Sequence, residues 1–272
     1  MTSIDEIKAL IAQKELFIFD LDGTLFNTLG DLSPAVNYAM TQFGLQTHSN
    51  DDVRTFIGNG SMNLIRRAIA ANFIPVANTR DMEKVAETLA RKNYSEEKIK
   101  EIHCVYSEYY WEHCTENTEP YEGVVNVIKR IASTSRDENG TGSNVNSVAS
   151  RSLNKNSAGT RCAAMLTNKP VAPAQKILEK FGLKDSFATY LCGDTTPERK
   201  PSPAGIYEII RQTGIAPEKA IMIGDDTPDV LAAKNANIDC ITLFEGFGKA
   251  ENLLPLEPRY TAGHIKDLAE FI

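Results

Sequence analysis

A short apolar run, Leu16-Phe17-Ile18-Phe19, stops at Asp20-Leu21-Asp22-Gly23-Thr24. An apolar run bounded by turn residues reads as a buried strand. The same pattern returns in the C-terminal part of the chain. Cys162 to Leu166 is apolar and ends at Thr167-Asn168, and Ala188 to Cys192, Ala220 to Ile223 and Cys240 to Phe244 are further short strands. Helical spacing predicts helices between them, over Val171 to Phe181, Pro203 to Thr213 and Thr227 to Asn235. Ser202 and Thr227 are the expected N-caps of the last two, each followed by a proline. Ile265 to Ile272 reads as a closing helix. Repeated β–α units predict an α/β fold, a doubly wound parallel sheet covered on both faces.

Asp31 to about Glu119 differs from this pattern. Leu32, Val36, Met40 and Phe43 form one helical stripe, and Val85, Leu89, Ile99, Ile102, Val105, Tyr106 and Tyr109 continue the helical character. The expected organisation is an α/β core made of residues 1–30 and 120–272, with a helical cap domain, 31–119, inserted after the first strand. A domain inserted there would overhang the strand C-termini and could act as a lid. Within the core, Ser133 to Thr160 is dominated by Ser, Asn, Gly and Thr. Residues 133–161 are therefore expected to form a disordered loop.

Composition narrows the classes. The chain has 272 residues, is 42% hydrophobic and carries a net charge of −7. This is ordinary for a soluble protein and argues against a general nucleic-acid binder. No apolar stretch approaches the length of a membrane span. Met1 to Lys14 is polar and mixed in charge, unlike a secretory signal. The five cysteines are widely spaced and form no CxxC, as expected for reduced thiols in the cytoplasm.

The carboxylates Asp20 and Asp22 stand two residues apart just past a strand end and point roughly the same way while the chain stays extended. Like charges held close are costly unless a cation joins them or one holds a proton. Three further segments fall at successive strand ends: Leu166-Thr167-Asn168-Lys169, Lys200-Pro201-Ser202-Pro203, and Gly224-Asp225-Asp226-Thr227-Pro228-Asp229. Together they supply what phosphoryl transfer needs, a carboxylate nucleophile and enough positive charge to let it approach an anionic ester. Mg²⁺ suits such oxygen ligands.

These segments, in this order, resemble the haloacid dehalogenase superfamily of phosphohydrolases. Phe56-Ile57-Gly58-Asn59-Gly60, Pro120-Tyr121-Glu122-Gly123-Val124, Thr167-Asn168-Lys169-Pro170 and Cys192-Gly193-Asp194 bring the resemblance closest to phosphoglycolate phosphatases. The resemblance implies that Asp20 is the nucleophile and forms an aspartyl-phosphate, while Asp22 acts as acid and then base. It implies that Thr167 and Asn168 hydrogen-bond the phosphoryl group and that Lys200 neutralises it. Asp20, the Asp22 backbone carbonyl and Asp225 would hold Mg²⁺, with Asp226 and Asp229 either ligating or orienting waters. Gly58, Asn59 and Gly60 resemble a substrate-specificity loop. Thr24 and Arg54 are further candidates for contact with substrate, and Arg66 and Arg67 are weighed beside Arg54 against a solvated helix face. Departures include Asn27-Thr28 where Asp-Ser is common, Asp226 for Ser and Cys192 for Gly, and the polar segment is longer than usual.

The implied partner is a small phosphorylated metabolite, with 2-phosphoglycolate the best guess, acted on by a monomer or homodimer without nucleic acid or membrane. Pyrophosphate, nucleoside monophosphates and sugar phosphates are alternative substrates. A β-phosphoglucomutase-like transferase would share Asp20 and Asp22. A dehalogenase needs no acid at position 22, and a non-enzymatic scaffold would be expected to lose Asp20, Asp22, Lys200 or Asp225. The dipeptides His103-Cys104 and His113-Cys114 would point to different helix faces, which argues against zinc. Tyr109, Tyr110 and Trp111 read as cap core.

Overall fold

The computed structural model describes residues 2–134, 161–196 and 198–272. In chain order, α1 (Ile4–Ile11) leads into β1 (Leu16–Phe19) and β2 (Phe26–Asn27). The helices α2 (Leu29–Gln42), α3 (Asn50–Phe56), α4 (Ser61–Ala70), α5 (Met82–Arg91) and α6 (Glu96–His113) follow. Next come β3 (Glu119–Pro120), α7 (Val124–Thr134), β4 (Cys162–Leu166), α8 (Val171–Lys180) and β5 (Thr189–Leu191). The chain ends through α9 (Ala204–Thr213), β6 (Ala220–Gly224), α10 (Thr227–Ala236), β7 (Asp239–Leu243), α11 (Ala250–Leu253) and β8 (Tyr260–Ala262).

Six strands form one parallel sheet in the order β5-β4-β1-β6-β7-β8. All four residues of β1 are buried, and they alternate between the two faces. Phe17 and Phe19 pack with Ile7, Leu10 and Ile11 of α1, with Val127, Ile128 and Ile131 of α7, and with Ile177 and Leu178 of α8. Leu16 and Ile18 face the other way, onto Ile206 and Ile209 of α9 and Ala232, Ala233 and Ala236 of α10. This is the doubly wound arrangement expected from the sequence. β1 lies where the strand order reverses, with β4 on one side and β6 on the other, and such a crevice is where ligands enter open α/β sheets.

Several local expectations are corrected. Pro203, not Ser202, precedes the first turn of α9, although the Ser202 hydroxyl accepts the Ala204 N–H at 3.3 Å. Asp226, not Thr227, caps α10, because its carboxylate accepts the Thr227 N–H at 2.8 Å. The closing helix shrinks to a 3₁₀ turn, Ile265–Leu268, and an edge strand, β8, precedes it. α1 emerges from a segment that reads as merely polar. Its Ser3–Glu6 capping box and its Ile7, Leu10, Ile11 face account for it. Of the expected polar loop, Ser133 and Thr134 belong to α7. Residues 135–160 lie outside those described.

The helices α2 to α6 gather around their own buried cluster, which includes Val36, Met40, Phe56, Ile65, Ile69, Ile102 and Tyr106. Their two connections to the sheet run side by side as an antiparallel ladder, Phe26 opposite Pro120 and Asn27 opposite Glu119. Beside it, the buried Asp31 carboxylate accepts the N–H and side-chain amide of Asn117 and the N–H and hydroxyl of Thr118, at 2.7–3.1 Å. A buried carboxylate is tolerable when its oxygens are this well bonded.

Arg67 on α4 is the largest fully buried side chain in the protein's described part. Its Nη1 donates to the carbonyls of Phe56, Ile57 and Gly58 at 2.8–3.3 Å. These carbonyls end α3, where a helix leaves acceptors without partners. The guanidinium therefore closes α3 and fixes the start of the Gly58–Gly60 loop, and it belongs to neither a solvated face nor a substrate pocket. Burial, reinforced by nearby Arg80, pulls its pKa down to about 10, which leaves it charged at neutral pH. Arg67→Met is expected to strand these acceptors and destabilise the fold by at least about 3 kcal/mol, at about 1–3 kcal/mol per stranded group. Urea unfolding measures this, and a loss below about 1 kcal/mol would contradict the clamp.

Candidate active site

The site forms beyond the C-terminal ends of β1, β4 and β6. Asp20 leaves β1 with its N–H still bonded to the Ile223 carbonyl at 3.0 Å, so the strand pairing itself aims the residue at the rim. Lys200 comes from the segment before α9, and its ammonium is buried 2.8 Å from Asp20 Oδ1 and 2.6 Å from Asp229 Oδ1. Asn168 seats this lysine. Its amide donates to the Lys200 carbonyl at 3.0 Å and its Oδ1 accepts the Lys200 N–H at 2.9 Å. The Asn168 side chain thus holds the lysine's main chain, and the residue also lines the cavity. Thr167 lines the cavity, and its hydroxyl accepts the Lys169 N–H at 3.2 Å.

Asp22 stands opposite. Its Oδ1 accepts the Thr28 hydroxyl at 2.7 Å and the Lys169 ammonium at 2.8 Å. Both bonds go to one oxygen, so the carboxylate is oriented while the other oxygen remains available to exchange a proton. Neither partner was assigned from sequence. The Lys169 position inside Thr167-Asn168-Lys169-Pro170 was the one available signal, and Thr28 gave none.

Asp225, at the tip of β6, is buried and fully bonded on the protein side. Its Oδ1 accepts the Thr24 hydroxyl at 2.5 Å and its Oδ2 accepts the Phe247 N–H at 2.7 Å. Thr24 is therefore a support for Asp225 and does not line the cavity. A Cβ at Gly246 would come within 2.3 Å of the Asp225 side chain, so the Gly246-Phe247-Gly248 turn can approach only because it lacks one. That turn was not read from sequence, although two glycines flanking Phe247 past a strand end were visible. Asp229 Oδ2 accepts the N–H groups of Asp225 and Asp226, both at 3.1 Å. It therefore buttresses the helix start and Lys200 together. Asp226 caps α10 and meets Arg80 at 3.4 Å, a pairing that no sequence pattern announced.

Oxygen atoms of Asp20, Asp225 and Asp229 lie within 4.8 Å of one another and could hold a metal ion. The charges fit such an ion. Three carboxylates face one ammonium, and Asp20 Oδ1, although beside that ammonium, receives no well-aligned hydrogen bond. Burial pushes the Asp20 carboxyl up, aided by Asp229 and Asp22 and opposed by Lys200. Burial and the neighbouring Asp229 and Asp20 likewise raise Asp225. Burial alone would lower the Lys200 ammonium, but Asp20 and Asp229 outweigh it and the net direction is up. An additional cation would favour the ionised carboxylates.

The helical unit closes the site. Gly58, Asn59 and Gly60 all have positive φ, and a Cβ on Gly58 would sit 2.6 Å from Asp226 Oδ2. The loop therefore lies directly over the carboxylates. With Tyr106, Tyr110 and Trp111 of α6 it bounds a cavity of about 80 Å³. Tyr110 is buried in the core of the helical unit, with Tyr109 packed against that core, as expected, whereas Trp111 is 48% exposed and lines the cavity. Arg54 is absent from the lining. It donates to the Gly246 carbonyl and lies over the Phe247 ring at 5.9 Å, clasping helical unit to sheet. Arg66 pairs with Glu96 at 2.6 Å on the surface. His103 bonds Ser61 at 2.8 Å, and Cys104 points elsewhere, to Glu108. Among the described residues, no helix is long and apolar enough to cross a membrane.

Comparison with known proteins agrees with this architecture. A phosphoglycolate phosphatase of Psychrobacter arcticus is 29% identical over 259 residues, covering 95% of this chain and 96% of its own. Phosphoglycolate phosphatase 1 of Pseudomonas aeruginosa is 30% identical, covering 93% and 78%. The crystal structure of a predicted phosphoglycolate phosphatase from Haemophilus somnus superimposes with a TM-score of 0.73 at 25% identity, covering 95% and 97%. The profile of the haloacid dehalogenase-like hydrolases matches residues 14–237. With that match spanning most of the sheet, the helical unit and all four acidic or basic segments, the chain belongs to the haloacid dehalogenase-like hydrolase family.

Proposed function

We propose that the protein is a Mg²⁺-dependent phosphatase of small phosphomonoesters, with 2-phosphoglycolate as its substrate. The observation that carries the reading is the pair at the rim. Asp20 lies against a buried ammonium, and Asp22 is held through one oxygen only. In the first step an Asp20 oxygen bonds to phosphorus and the bond to the ester oxygen breaks. Asp22 gives its proton to the departing alkoxide. In the second step water attacks phosphorus, Asp22 takes the water's proton, and the Asp20–phosphorus bond breaks to release phosphate. Lys200 and the Thr167 segment offset the charge of the phosphoryl oxygens throughout.

Asp20, the Asp22 backbone carbonyl and Asp225 would hold Mg²⁺, which when bound neutralises the carboxylates and the phosphoryl oxygens. Asp226 is the weakest of the candidate ligands, since it is engaged by Arg80 and the α10 cap. The segment α2–α6 serves as a cap domain, and its Gly58–Gly60 loop faces the substrate. Relatives named phosphoglycolate phosphatase support the choice of substrate. The described cysteines are all free, in keeping with a cytoplasmic setting.

Phosphate release from a panel of esters, ranked by kcat/KM, tests the substrate, with 2-phosphoglycolate expected first. Asp20→Asn is expected to lower turnover at least about a thousandfold while leaving the melting temperature near that of the parent. Substantial residual turnover in the purified variant would overturn the covalent route. Exhaustive chelation is expected to abolish activity and added Mg²⁺ to restore it. Full activity in chelator, with metal content verified, would contradict the metal requirement.

A further inference from the structure

The mechanism above leaves one charged group in the cavity without a task toward the substrate. Among the described residues, two cationic side chains line the cavity, Lys169 and Lys200. Lys200 is engaged by two carboxylates at the phosphoryl end. Lys169 is equally buried, but its ammonium bonds a single carboxylate, Asp22, at 2.8 Å. The Tyr110 ring of α6 covers it at 4.7 Å, a cation–π distance. An ammonium has three donors, and one hydrogen bond from it, to Asp22, is found among the described residues, which leaves donor capacity on a side chain that lines the cavity. Among the described residues no arginine lines the cavity: Arg54 bonds Gly246, Arg66 bonds Glu96 and Arg67 closes α3, while Arg80, paired with Asp226, and Arg199, bonded to the Gly193 carbonyl, lie behind the Gly58–Gly60 loop.

We propose that Lys169 is the specificity-determining residue of the site, receiving a substrate carboxylate carried on the carbon next to the ester oxygen. The inference rests on the phosphatase reading given above. Asp22 must touch the ester oxygen to protonate it, and an α-carboxylate begins two bonds further along the substrate. An ammonium already in contact with Asp22 is therefore within reach of that carboxylate. The surrounding acidic cluster would repel a second anionic group that met no cation. Tyr110 keeps the ammonium from turning away and keeps water from covering it. The cap thus contributes to selection through the lysine it holds, without itself supplying a charge.

The test compares 2-phosphoglycolate with ethyl phosphate, which lacks the carboxylate, in the full-length enzyme and in Lys169→Gln. Loss of the lysine also disturbs Asp22, so both substrates are expected to slow. The decisive quantity is the ratio of their kcat/KM values. It is expected to fall about 10- to 100-fold, the span of one charge-assisted hydrogen bond, chiefly through KM for 2-phosphoglycolate. Lys169→Arg, which keeps the charge, is expected to recover most of the ratio. An unchanged ratio in Lys169→Gln overturns the assignment and leaves Lys169 as a positioning residue for Asp22. A parent enzyme with no preference for 2-phosphoglycolate overturns the substrate reading itself, and this assignment with it. Should Lys169→Gln not fold, Asp20→Asn crystals soaked with 2-phosphoglycolate decide the question. A carboxylate within about 3.2 Å of Lys169 Nζ supports the assignment, and one seated elsewhere refutes it.

Discussion

The arrangement of the whole site depends on concentrating carboxylates where the sheet's central strands end. Asp20, Asp225 and Asp229 lie within reach of one ion, and the Lys200 ammonium bridges Asp20 and Asp229. Removing like charges from water is unfavourable, and attraction to an opposite charge offsets the cost only if the geometry is well defined. The surrounding structure supplies that definition. Asn168 pins the Lys200 main chain, Asp229 is bonded by two N–H groups at the start of α10, and Asp225 is held by Thr24 and the Phe247 turn. The Lys200 main chain, Asp229 and Asp225 are thus positioned by neutral groups that cannot titrate away, and Asp20 rests against the ammonium they hold in place.

The sheet topology makes this possible. β1 is bordered by β4 and β6, so residues 20, 167–169 and 225 emerge side by side although they are far apart in sequence. The strands are buried on both faces, and the rim is the one place where their polar continuations can meet a ligand. The helical unit then covers that rim. It is attached by a two-residue ladder and the Asp31 hydrogen bonds, and it touches the sheet's loops through Arg54 and Arg80.

Two opposed carboxylates therefore have different surroundings. Asp20 faces Lys200 and the metal-competent cluster, whereas Asp22 faces Lys169 and Thr28 on the cap side. Two residues apart in sequence, they reach separate charge environments, and Gly23 just beyond them, at a φ of +84°, passes so close to Asp225 that a Cβ would meet its carboxylate at 2.2 Å. This division suits the proposed roles, in which one carboxylate attacks while its neighbour carries a proton.

The strands and most helices were legible because burial imposes a period on the residues. Apolar runs of four and five residues marked β1 and β4, and the Leu32, Val36, Met40 stripe marked α2. The acidic and basic segments were legible because strand ends place chemistry at predictable points. Caps were misassigned by one residue at α9 and α10, since Ser202, Thr227 and Asp226 are all plausible caps and only the backbone angles choose between them. The roles of Thr24, Arg54, Arg67, Lys169 and Trp111 were not legible. A charged or aromatic side chain carries the same letter whether it meets substrate, a carbonyl or solvent. Its partner is set by segments a hundred or more residues away, as with Thr24 and Asp225, or by how the cap settles on the sheet, as with Lys169 and Tyr110. Local sequence determines periodicity and the kind of chemistry available. Which groups touch is decided by long-range packing, because contact energies depend on distances that no single segment contains.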